Sequence, residues 1–314
     1  MVFADLKNDF VFRRIFAKHP DILRGLLNDL LDRRGDRTIE ALEYLPSEQL
    51  PLVKGAKLSI LDVRCRDRAG TTFIVEMQIL HVVGFVNRVV YNACKAYADQ
   101  LKMGESYTKL TDVVAISICD FVLWPDAAQD SAKLPRVPML SRWNMTERAS
   151  GNHGLLQVQY AFLELPKLPA LRPETPGAEL WAWLFVHAPE LTEIPADLPP
   201  GPHREAVELA NEATFTPAEL EAYRKVMDEI QQAREYGDSR EAKGRAEGET
   251  AGFAKGKAAA VLAILAARNL HVSAEIRARI EACEEPATLD RWIAQAMKAM
   301  SAEEVLASSS PKHS

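Results

Sequence analysis

KLSILDVRCRDRAGTTFIVEMQIL, residues 57–80, alternates with a period of two on both sides of the turn signal Asp67-Arg68-Ala69-Gly70. This predicts a β-hairpin with strands over 58–65 and 72–80. In the first strand Leu61, Val63 and Cys65 share one face, while Ile60, Asp62, Arg64 and Arg66 share the other. In the second, Phe73, Val75, Met77 and Ile79 lie on one face and Ile74, Glu76 and Gln78 on the opposite one. A three-residue loop, Arg68-Ala69-Gly70, with glycine in its left-handed position, sets Asp62 directly opposite Glu76 and Gln78 one diagonal step away. Carboxylates opposed on one sheet face repel each other. The pattern makes sense when a cation sits between them, and a hard divalent ion such as Mg²⁺ is held by one or two carboxylates plus water and phosphate oxygens. An exposed strand face whose acids are balanced by Arg64 and Arg66 accounts for the same spacing.

Helical periodicity flanks the hairpin. Over 9–31 the apolar positions Phe12, Ile15, Phe16, Ile22, Leu23, Leu26, Leu27 and Leu30 repeat at helical spacing, and Pro20 splits the run into two short helices or one kinked one. Residues 84–103 return to that spacing and place Arg88, Tyr91 and Lys95 on one face, where they form either a phosphate-facing set or a solvated stripe. VVAISICDF (113–121) reads as a strand buried on both faces. The segment 125–153 reads as irregular, 155–165 as a strand and 179–188 as a short tryptophan-rich helix. Strands mixed with helices, then helices alone, give an α/β fold with an all-helical C-terminal extension.

Composition sets bounds on this reading. At 314 residues the chain exceeds one typical domain, and 47% hydrophobic with 26% charged residues is ordinary for a globular protein. Cys65, Cys94, Cys119 and Cys283 form no CxxC pair and read as reduced thiols. MVFADLKNDF lacks the layout of a signal peptide, and no stretch reaches membrane-spanning apolar length, so the expectation is a cytoplasmic protein without a membrane partner. Net charge is −6, unevenly spread: residues 1–150 hold 21 Lys+Arg against 19 Asp+Glu, and residues 151–314 hold 17 against 25. That balance neither supports nor excludes nucleic acid.

After the proline-dense loop 195–203, helix is expected from Pro217 to about Tyr236. Tetrads then follow, EAKG, RAEG, ETAG and FAKG, placing Gly244, Gly248, Gly252 and Gly256 four residues apart. Each glycine costs a helix about 1 kcal/mol relative to alanine, so this is either a flexible semi-helical spacer or a contact through which copies of the chain assemble into a homo-oligomer. From 258 onward two or three amphipathic helices make a small module. The expected organisation is a domain over 1–205, a helical linker over 206–257 and a C-terminal module over 258–314.

The ordered set K-x-S-I-L-D-V (57–63), F-I-V-E-M-Q (73–78), Arg88 with Tyr91, and DQLKMGESYTKL (99–110) resembles the Rpn family of recombination-promoting nucleases. These are also described as transposases of the PD-(D/E)XK nuclease superfamily. NDFVFRRIF (8–16) and FLELPK (162–167) resemble the first helix and a late strand of the same family, so the match spans roughly residues 5–200. The resemblance implies a restriction-endonuclease-like mixed sheet flanked by helices, and a Mg²⁺- or Mn²⁺-dependent endonuclease acting on DNA in recombination or transposition. It makes Asp62 and Glu76 metal ligands and puts Gln78 where the wider superfamily has lysine. Lys57, Arg88 or Lys95 would then supply the missing positive charge. Asp9 is either a further acid near the metal or a helix N-terminal acid that favours the dipole. Two other readings stand beside this one: a catalytically weak nuclease fold that binds DNA or protein through its helical C-terminal part, and a structural oligomer built on the glycine-striped helix.

Overall fold

A computed structural model describes residues 1–49, 59–125, 136–170 and 177–307. Two compact units divide the chain, Met1–Ile230 and Gln231–Ser314.

The first unit opens with α1 (Asp9–Phe16) and α2 (Pro20–Leu30). Asn8 caps α1, its side-chain oxygen accepting from the amides of Phe10 and Val11. Pro20 begins α2, where its missing N–H costs nothing, so the periodic run is two helices and not a kinked one. Six strands then form one mixed sheet: β1 (Leu42–Tyr44), β4 (Val63–Asp67), β5 (Thr72–Gln78), β6 (Val113–Cys119), β8 (Leu155–Glu164) and β7 (Leu140–Met145), in that spatial order. β5, β6 and β8 run parallel; the outer strands are antiparallel to their neighbours. Parallel β5 and β6 need a crossover, and α3 (Phe85–Ala98) supplies it. All seven residues of β6 are buried, as a strand covered on both faces requires.

Two apolar layers enclose the sheet. On one face Val63, Cys65, Phe73, Val75 and Met77 meet α1, α2, α4 (Ala178–His187) and α5 (Pro202–Ala210), with Phe12, Phe16, Trp181 and Phe185 at the centre. On the other, Ile74, Val113 and Ala115 pack under Phe85, Val89, Ala93 and Ala96 of α3. The observed architecture is the expected one: α/β, a mixed sheet between helices, then an all-helical C-terminal region.

The hairpin keeps the predicted register, with Val63 opposite Val75, Arg64 opposite Ile74 and Cys65 opposite Phe73. Its first strand, however, is broken. Ser59–Ile60 forms β3 and pairs with Glu48–Gln49 (β2) in a separate two-stranded sheet, and the chain bends at Leu61-Asp62 before entering β4. The bend turns Leu61 into the layer beneath α3, away from Val63 and Cys65, whose face the alternation had given it. Two more strands carried too little pattern to be predicted: β1, and β7 at the sheet edge, where four of six residues are exposed.

The predicted domain boundary at 205 falls inside α5, whose Ala206, Val207 and Ala210 are buried in the first layer. Phe215, Leu220 and Tyr223 pack there too, which carries the unit on to Ile230. α6 is a single helix, Pro217–Ala267, and it includes the glycine tetrads. In the second unit Val261 and Leu265 of α6 join Ile280 of α7 (Ala274–Glu281), Leu289 and Trp292 of α8 (Pro286–Ala296), and Val305 of α9 (Ala302–Ala307) in a core of their own. Among the described residues, α6 is the one helix long and apolar enough to cross a membrane by length and composition. Of its most apolar stretch 22% is buried; on the same helix Val261 and Leu265 are fully buried in that helical core.

Candidate active site

The bend at Asp62 is held from the neighbouring strand. Asp62 Oδ2 accepts a hydrogen bond from the Met77 amide at 2.9 Å, so a side chain takes the place of a backbone partner where β4 has not yet begun. Oδ1 accepts from Arg13 Nη2 at 2.8 Å. Glu76, on β5, points to the α3 side of the sheet and is only 8% exposed. Burying a carboxylate is costly unless it is hydrogen-bonded. Asn92 Nδ2 donates to its Oε1 at 3.1 Å, and Arg88 Nη2 stands 3.9 Å from its Oε2. Burial raises the pKa of Glu76, and the Asp62 carboxylate adds to the rise, while Arg88 and the Asn92 hydrogen bond oppose it.

Gln78, one pleat further along the same face, accepts from Arg88 Nη2 and donates to the Leu80 carbonyl at 2.9 Å. The glutamine thus holds the guanidinium beside Glu76. Asp9 opens α1, its side chain about half exposed, and pairs with Arg13 at 3.3 Å. Burial, reinforced by the neighbouring Asp62 carboxylate, pushes Asp9 up to about 6, against the pull of Arg13.

Asp9, Asp62, Glu76, Gln78, Arg88 and Tyr91 line one cavity of ≈ 810 Å³, together with Lys7 and Asn92. Ile60, Ile79, Leu80, Val226 and Ile230 give it an apolar wall. Tyr91 is 43% exposed and available to a ligand there. Lys95 is not among the lining residues. It is buried, and its Nζ donates to the Gln49 carbonyl at 2.6 Å, which ties α3 to β2. Lys57 lies outside the described residues.

Sequence reasoning missed two members of the cluster, Arg13 and Asn92. A signal existed for each: Arg13 follows Asp9 by four residues on α1, and Asn92 follows Arg88 by four on α3, so each shares a face with a residue already singled out.

The donors facing the cavity are carboxylate and amide oxygens, which suit a hard divalent cation. Among the described residues no three His, Cys, Asp or Glu side chains form a closed cage. An open pair of carboxylates fits Mg²⁺, which keeps several waters, better than Zn²⁺, which takes nitrogen and sulfur ligands.

No curated protein and no solved structure matches the chain. A family model does, over residues 6–236, which takes in the whole sheet, both layers and every described residue of the cavity. The mixed sheet flanked by helices is consistent with the PD-(D/E)XK nuclease fold. On that match the chain belongs to the PD-(D/E)XK nuclease family transposases.

Proposed function

We propose that the chain is a Mg²⁺-dependent deoxyribonuclease, Mn²⁺ serving as well, that hydrolyses phosphodiester bonds in DNA and does so in recombination or transposition. One observation carries the reading: Asp62, from the bend before β4, and Glu76, from β5, open onto the same cavity with a guanidinium at its side.

Asp62 and Glu76 would hold the ion, with Asp9 at the edge of the cluster. When bound, the ion would polarise the phosphoryl group and lower the pKa of a water that attacks it. The chain's own residues do the rest. Met77 fixes Asp62 through its amide, and Asn92 orients Glu76. Gln78 carries no charge, so it cannot neutralise the charge that builds on phosphorus; Arg88, which it holds, can, and a guanidinium matches phosphate oxygens in a two-pronged contact. Tyr91, which lines the same cavity, would donate its hydroxyl to a phosphate oxygen.

The test is cleavage of supercoiled plasmid in Mg²⁺ or Mn²⁺. Wild type nicks or linearises it, while Asp62→Ala, Glu76→Ala and an EDTA control leave it intact. A second reading, a nuclease fold that binds DNA or protein with little or no catalysis, draws on the Arg13–Asp62 pair, which already occupies one ligand oxygen. Equal, weak cleavage by wild type and both variants would favour it.

A further inference from the structure

Arg13 and Arg14 are adjacent on α1 and do different work. Arg14 is 12% exposed on its side chain and anchored: it donates to the Leu209 carbonyl at 2.5 Å, pairs with Glu219 at 3.2 Å and stacks on the Phe215 ring. Arg13 is 44% exposed on its side chain, and among the described residues the polar partners of its guanidinium are the carboxylates of Asp62 at 2.8 Å and Asp9 at 3.3 Å. Both of these line the cavity. The backbone of α1 cannot follow Arg13 if that side chain moves, because Phe12, Ile15 and Phe16 are fully buried in the core. The side chain itself, 44% exposed, borders solvent.

We propose that Arg13 is an internal counter-ion, which the divalent cation displaces from Asp62 and which then takes a phosphate of the bound DNA. The inference rests on the nuclease reading above. A divalent ion on the cavity side of Asp62 and a guanidinium on Oδ1 compete for the same negative charge and repel each other. With Oδ2 tied to the Met77 amide, Oδ1 is the oxygen whose partner can leave. Once released, a planar, permanently charged fork at the cavity edge is well suited to a phosphate.

The proposal gives the two affinities opposite signs, which an ordinary structural residue would not. Mn²⁺ titrated calorimetrically into full-length protein without DNA should bind Arg13→Gln about three- to tenfold tighter than wild type, the scale of losing one partly exposed competing cation. A fluorescein-labelled duplex, bound in Ca²⁺ and read by anisotropy, should bind the same variant about fivefold more weakly, as expected for one lost phosphate contact. Arg13→Lys should restore both values toward wild type. Unchanged or weaker Mn²⁺ binding by Arg13→Gln overturns the proposal. So does a parallel fall in both affinities with a lower melting temperature, the mark of a purely structural role. Wild type that takes up no Mn²⁺, indistinguishable from Glu76→Ala, overturns the nuclease reading and this inference with it.

Discussion

Asp62 has its two oxygens drawn in different directions, one by a peptide of the neighbouring strand and one by a cation of the first helix. Asp9 is tested through pH. Its folded pKa of about 6 lies above the ordinary 3.8, so the proton it carries contributes stability that is full below about pH 4 and lost as pH rises through about 6. Asp9→Asn keeps that contribution at all pH. In metal-free buffer its melting temperature should exceed that of wild type at pH 8 and converge with it below about pH 4; an equal gain at both values would refute the assignment. Arg88 is tested by chemistry instead. With Gln78 neutral, Arg88→Ala should lower single-turnover cleavage by about 100-fold or more while leaving Mn²⁺ binding within about threefold, since the loss is of charge stabilisation at phosphorus and not of a ligand. Glu76 was legible because alternation along β5 fixes its face, whereas Asp62 was named from an alternation that the bend at Leu61-Asp62 interrupts. Arg13 and Asn92 share helix faces with Asp9 and Arg88 through i, i+4 spacing, but that they reach Asp62 and Glu76 is set by helix packing, which the spacing does not record.

The β4–β5 hairpin was legible down to its register because its loop is local. Gly70 sits at φ +91°, a Cβ there would meet Thr111 Cγ2 at 2.8 Å, and Thr111 Oγ1 donates to the Gly70 carbonyl at 2.7 Å. Gly70→Ala should therefore destabilise the protein by about 1 kcal/mol or more in urea titrations, from backbone strain and the clash together. The break at Leu61-Asp62 was not legible: it depends on the amide of Met77, fifteen residues away. β7 was hidden by its position, since an edge strand with most of its side chains in solvent has no reason to alternate. The glycine tetrads posed the opposite difficulty. Their composition argued for a weak helix, yet α6 runs through them unbroken, and a Cβ at Gly244, Gly248, Gly252 or Gly256 would meet nothing within 4 Å. Replacing all four by alanine should raise helicity and the thermal midpoint of this stretch, each position adding up to about 1 kcal/mol. If the stripe instead mates copies of the chain, the same variant should sediment at a lower mass than wild type, and that comparison decides whether the glycines serve assembly.

The two compact units each carry their own core, and the family match ends at residue 236, close to where the first unit stops. Residues 237–314 hold eleven Lys+Arg and eleven Asp+Glu, so removing them leaves the net charge unaltered. A chain ending at Tyr236 should keep its fold, its plasmid cleavage and the salt dependence of its duplex binding, because long-range attraction to DNA follows charge. A steeper or shallower salt slope would show that the C-terminal residues touch the nucleic acid. One feature of the hairpin also bears on the cell that makes the protein. A site assembled from Glu76 on β5 and from Asp62 at the bend before β4, the latter latched to its neighbour's peptide, exists only while the hairpin closes in frame. A copy that zips up one step out of place sends its acids to opposite sides and is disarmed by its own mistake. The slip that spoils folding therefore also dismantles the site.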